Sequence, residues 1–128
     1  ANADDAFKEL LVAKYKEVTG NDLVSYTYAP EGYDLVVLTA LAAERGGSAD
    51  SATIKDNIHA VSGADGGTEC DSFEACRDLL SNGEEIQFVG KSGIGALREG
   101  DPSAAWIGIY EYDETNQPQF QTAVRGEI

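Results

Sequence analysis

The stretch Tyr33-Asp34-Leu35-Val36-Val37-Leu38-Thr39-Ala40-Leu41-Ala42-Ala43-Glu44-Arg45-Gly46-Gly47 decides the fold. It opens on an aromatic residue and an acid, runs apolar nearly all round, and ends at a double glycine. A helix without a polar face is one that is buried on most sides. The pattern predicts a helix from Tyr33 to about Arg45, after a turn at Pro30-Glu31-Gly32. In a chain of 128 residues few neighbours exist to cover such a rod. The expectation is that part of its natural partner surface is missing, or that the chain self-associates.

Upstream of the rod, Phe7, Leu10, Leu11, Tyr15 and Val18 recur at helical spacing and predict one buried stripe on a helix from about Asp4 to Thr19. Asp4 and Asp5 suit its positive N-terminal end, and Gly20 its left-handed end. Residues 23–28 read as a brief strand or an extended connector. Downstream, Asp50 or Ser51 caps a third helix with Ile54, Ile58 and Val61 inside, stopped by Ser62-Gly63. Residues 64–69 read as a Gly-rich loop. Asp71 or Ser72 caps a fourth helix with the stripe Phe73, Cys76, Leu79 and Leu80, ended by Asn82-Gly83.

The C-terminal third changes period. Ile86, Phe88 and Ser92-Gly93-Ile94 suggest a strand, and Gly100-Asp101-Pro102 a turn. From Ala104 to Tyr112 the residues alternate, with Trp106, Gly108, Tyr110 and Tyr112 on one face and Ala105, Ile107 and Ile109 on the other. These two strands read as an antiparallel β-hairpin with a long loop. Asn116-Gln117-Pro118 is another turn, before a short strand at Phe120 to Val124. The fold class is mixed: α/β, or an α+β fragment, with about four helices and a C-terminal antiparallel β-hairpin in a single domain spanning residues 1–128.

Charge and composition exclude several functions. Nine basic residues stand against 23 acidic ones, a formal net charge of -14, with no basic cluster. Nucleic-acid backbones need Lys and Arg to release counterions, so no nucleic-acid partner is expected, and anionic membrane surfaces are disfavoured for the same reason. The acid excess serves solubility, with adaptation to high salt as the weaker alternative. No apolar run is long enough to span a bilayer, and no basic-then-apolar leader is visible. The chain contains no Met, so Ala1-Asn2-Ala3 does not read as a natural start; processing, proteolysis or an expression scar would each account for it.

The two cysteines, Cys70 and Cys76, would lie about 240° apart if both were helical, and could not then pair. A cap at Asp71-Ser72 places Cys70 ahead of the helix instead. A disulfide that pins this segment to the first turns is then compatible with the spacing, and it fits an oxidising compartment. The alternative is two reduced, half-buried thiols.

No constellation carries catalysis. His59, the single histidine, has no acid or cysteine at ligand spacing, so a core-edge role is expected. The run Gly90-Lys91-Ser92-Gly93-Ile94-Gly95 lacks the order of a phosphate-binding loop, with Lys and Ser preceding the last glycine. Arg98 stands where a dinucleotide fingerprint needs its third glycine, and Ile94 where a nucleophile elbow needs one. Strand plus turn is the reading for this run. No nucleophile, base and oxyanion donor assemble, so the chain is read as a non-enzyme without cofactor or metal. Tyr33 can line a small-molecule pocket or serve ordinary core packing.

Six segments in order carry a resemblance. They are Phe7, Tyr15 and Gly20; Tyr33-Asp34-Leu35 through Gly46-Gly47-Ser48; Ile54 to Gly63; Ser72-Phe73-Glu74-Ala75-Cys76 with Gly83; Phe88-Val89-Gly90-Lys91-Ser92-Gly93; and Gly100-Asp101 with Trp106 to Tyr112. This series resembles the C-terminal part of the branched-chain amino-acid-type solute-binding proteins of ABC importers, the type I periplasmic binding fold. After Ser-Gly the family often shows Pro and an aromatic-acid pair, whereas Ile94, Gly95, Ala96 and Leu97 stand here.

The resemblance implies a two-lobed parent protein that closes about hinges around an amino acid or related amide and delivers it to an ABC permease. Tyr33 matches a family position that closes over the ligand's side, with Glu31 and Asp34 as flanking ligand-binding candidates. Most of the ligand cleft would lie outside the chain. The implied location is periplasmic or extracytoplasmic, with a lipoprotein anchor as one form. The alternative is a self-contained sensory or protein-interaction module that forms a homo-oligomer through exposed apolar surface.

Overall fold

A computed structural model describes residues 4–127; Ala1-Asn2-Ala3, read as an unnatural start, lies outside the described residues. Four helices and three pairs of strands follow in the order α1 (Asp5–Thr19), α2 (Ala29–Gly46), α3 (Ser51–Val61), β1 (Thr68–Cys70), α4 (Phe73–Ser81), β2 (Ile86–Phe88), β3 (Leu97–Arg98), β4 (Asp101–Pro102), β5 (Ala104–Tyr112) and β6 (Pro118–Glu127). The mixed class with a C-terminal antiparallel hairpin is the architecture observed.

Helix starts follow local chemistry. The Asp4 carboxylate accepts from the Phe7 amide, Asp50 from Thr53, and the Ser72 hydroxyl from Ala75. Each satisfies one of the amides that a helix start leaves without an internal partner. Gly20 and Gly47 close α1 and α2 in the left-handed conformation, at φ 73° and 75°. The start of α2 departs from expectation. It begins at Ala29, four residues before Tyr33, because Pro30 sits in the first turn, where its missing N–H costs nothing. The residues expected to form a turn are helical, and Tyr33 lies in the second turn.

The core is built by α2, α3, α4 and the β1–β2 pair. Val37, Leu38, Leu41 and Ala42 of α2 meet Val61, Cys76, Ile86 and Phe88, with Ile54, Ile58, Phe73, Leu79 and Leu80 packed around them. β1 and β2 run parallel, in the register Thr68 with Ile86 and Cys70 with Phe88, and α4 is their crossover. Residues 64–69 were expected to be loop throughout; Thr68 and Glu69 belong to β1. β2 was expected to pair with residues 104–112. It pairs with β1 instead, because a parallel partner joined through a helix needs no hairpin turn.

The hairpin is formed by β5 and β6, with Ala104 opposite Glu127 and Tyr112 opposite Pro118. An irregularity between Ile109 and Tyr110 leaves Gln121 extra in β6. The residues 113–117 turn, with Asn116 at φ 61°. β3 and β4 form a smaller hairpin about Glu99-Gly100, so Asp101 and Pro102 lie on a strand, not in the turn.

Two expectations about burial differ from the structure. In α1 only Phe7 is buried, while Leu10, Tyr15 and Val18 are exposed, so the predicted stripe is largely uncovered. The apolar rod α2 is not enclosed either: Leu35 is 58% and Val36 69% exposed. Among the described residues no helix is long and apolar enough to cross a membrane.

Candidate functional site

The candidate residues Glu31, Tyr33 and Asp34 occupy the first two turns of α2. The buried face of that helix runs through Pro30, Asp34, Val37, Leu38 and Leu41, so Asp34 is the polar member of an otherwise apolar stripe. A buried carboxylate is tolerated only when hydrogen bonds replace its lost water. Asp34 is 1% exposed, and donors from one loop surround it. Its Oδ1 accepts from the Lys91 amide at 2.7 Å, and its Oδ2 from the Ser92 amide at 2.8 Å and from the Ser92 hydroxyl. The loop must come close for this, and a Cβ at Gly90 would overlap the carboxylate.

Tyr33 points elsewhere. Its ring meets Phe7 of α1 edge to face, with centroids 5.3 Å apart and planes at 67°, and it remains 42% exposed. That arrangement suits the ring quadrupoles. Glu31 is half-buried in the first turn, where an acid complements the helix dipole. Lys91 also reaches α1, with its Nζ 3.8 Å from an Asp4 carboxylate oxygen. Three segments therefore converge here: the start of α1, the start of α2 and the loop 90–93.

The structure brings Asp34 to the loop and Tyr33 to Phe7, so the two side chains have different partners. One open depression of about 490 Å³ is lined by Asp5, Lys8, Glu9, Val12, Ala13 and Tyr26. Another, of about 360 Å³, lies at the far end of α2 beside Glu44, Arg45 and Glu85. Neither includes Glu31, Tyr33 or Asp34. At the far depression Arg45 bonds Glu85 through Nε at 3.1 Å and Nη2 at 2.9 Å. That hydrogen-bonded contact raises the guanidinium pKa and lowers that of the Glu85 carboxyl.

Sequence reasoning missed Ser92, Trp106 and Ser62. The Gly90-Lys91-Ser92-Gly93 run was read as strand plus turn; it is a loop, and its glycines mark the close approach to Asp34 and to Trp106. Ser62 was read only as a helix stop. Its buried hydroxyl donates to the His59 carbonyl at 2.7 Å and accepts from the Leu97 amide at 2.9 Å. Cys70 and Cys76 are disulfide-bonded. Among the described residues no group of three or more His, Cys, Asp or Glu side chains is placed to hold a metal ion.

No family model, curated protein or solved structure matches the chain.

Proposed function

We propose that the chain is the C-terminal part of the extracytoplasmic solute-binding component of an ABC importer for branched-chain or amide-like amino acids. The reading rests on the ordered resemblance of its segments, and the observation that carries it is the bare outer face of α2. Leu35 and Val36 stand open beside the half-exposed Tyr33 ring. A rod of this composition is made to be covered. In this reading the remaining lobe covers it, Tyr33 closes over the side of the solute, and an ABC permease receives the solute. The disulfide is compatible with a periplasmic or otherwise extracytoplasmic setting.

Calorimetry tests the proposal. The chain alone is expected to give no saturable heat with leucine, valine or glutamine. The product of the longer reading frame that encodes it is expected to bind one of these with a stoichiometry of one. Tight stoichiometric binding by the chain alone, or none by the longer product, sinks the reading.

A second reading, a self-associating interaction module, is favoured by the exposed aliphatic cluster Ile107, Ile109 and Val124 on the hairpin. Sedimentation separates the two. A concentration-dependent dimer at micromolar chain supports the module, and a monomer supports the solute-binding reading.

A further inference from the structure

We infer that Asp34 is a positioning residue that latches the start of α2 to the root of the C-terminal hairpin. The inference goes beyond ligand capture and holds whether or not Tyr33 touches a solute.

The connection can be followed atom by atom. Asp34 holds the amides of Lys91 and Ser92 and the hydroxyl of Ser92. The Ser92 Oγ accepts in turn from the Ile94 amide at 3.2 Å, which shapes the turn around Gly93. Gly93 is at φ 70°, and a Cβ there would lie 3.2 Å from Nε1 of Trp106, so the indole edge rests against this glycine. Trp106 is on β5. Two further bonds fix the root of that strand: Gly95 N–H to the Ala104 carbonyl at 2.9 Å, and Ser103 N–H to the Ala96 carbonyl at 2.8 Å. Asp34 and Ser92 are each 1% exposed, so water does not compete for these bonds.

The Ser62 bond to the Leu97 amide is a second attachment of this crossing to the helices, beside the longer contact of Lys91 with Asp4. Ser62 holds the crossing near its end. Asp34 holds it near its start, through three hydrogen bonds where Ser62 accepts one. Asp34 therefore sets where the loop lies and, through Gly93, how the indole sits.

The test uses the chain itself, in which Trp106 is the single tryptophan. In the unaltered protein, hydrogen exchange at the Lys91 and Ser92 amides is expected to be strongly slowed. Free exchange at both overturns the latch without any variant. Asp34→Asn should speed exchange at both amides by about tenfold or more. It should also raise acrylamide quenching of Trp106 while the far-UV helical signal stays. Gly90→Ala, which displaces the carboxylate from the other side, should reproduce both changes. Should Asp34→Asn fail to fold, Ser92→Ala should shift both readouts in the same direction by less. Unchanged Trp106 quenching in the folded variants, with faster amide exchange, would assign Asp34 to the loop alone and overturn the latch to the hairpin.

Discussion

Cys70, the last residue of β1, is bonded to Cys76, one turn into α4, with their Cα atoms 5.3 Å apart. The bond crosses the β1–α4 junction, and both sulfurs lie in the core beside Ile86 and Phe88. It fixes the strand end from which the crossover helix leaves.

Reduction should therefore weaken the whole core. The closed loop is short, so the loss expected from unfolded-state entropy is about 2 kcal/mol, the low end for a disulfide. Urea unfolding with and without dithiothreitol, or of the Cys70→Ser/Cys76→Ser pair, measures it. An unchanged midpoint would show that the bond contributes nothing.

Tyr28 precedes α2 at φ 60° with its side chain 78% exposed. A non-glycine residue in the left-handed region costs about 1–2 kcal/mol, and an exposed ring returns little packing energy. Tyr28→Gly is expected to stabilise the fold by about 1 kcal/mol, after allowing for the greater freedom of glycine in the unfolded chain. A lower thermal midpoint in scanning calorimetry would show that the ring packs usefully.

Leu41 is fully buried at the centre of the α2 face. Leu41→Ala removes apolar contact and leaves a cavity, at a cost of about 3 kcal/mol. Leu35→Ala, on the bare side of the same helix, should cost far less, since little is buried there. Equal losses in urea unfolding would mean that Leu35 is covered in solution, as self-association would require.

Acid should unfold the chain partly through Asp50. The Ser48 hydroxyl, then the Thr53 amide and hydroxyl, hold its carboxyl at about 2. The folded value is depressed, so this stabilisation is present above the unfolded value of about 3.9 and is lost as pH falls through the folded value. Asp113 is lowered in the same direction by the Gln117 amide, then the Thr115 hydroxyl. Asp50→Asn keeps an acceptor for the Thr53 amide but cannot titrate. Its stability should fall less steeply between about pH 4 and pH 2 than that of the parent, read by circular dichroism. Parallel curves would remove Asp50 from the acid response.

Much of the helical layer was legible, because caps and breakers act within a few residues. Asp50 and Ser72, each one of two candidates, are the caps, Asp4 caps α1 where it was expected inside the first turn, and Gly20 and Gly47 stop helices by local geometry. The start of α2 was misread for an equally local reason: Pro30 begins a helix as readily as it makes a turn. The strand pairing was harder. Ile86 and Phe88 announce a strand, but nothing near them names its partner, and β1 has only three residues. For the candidate site, Tyr33 and Asp34 were visible as an aromatic-acid start. Their opposite directions, one toward Phe7 and one toward Ser92, were not.

By itself, then, the order of residues determined four helices, most of their ends, a disulfide-compatible spacing and the alternating strand from Ala104 to Tyr112, because these depend on neighbours within a turn or two. Tertiary structure alone decided that β2 pairs with β1, that α1 leaves its apolar stripe open, and that Asp34 is buried against an amide-rich loop 57 residues further on. Such outcomes depend on which distant surfaces meet and which polar groups find donors once water has been removed, and no local pattern encodes that meeting.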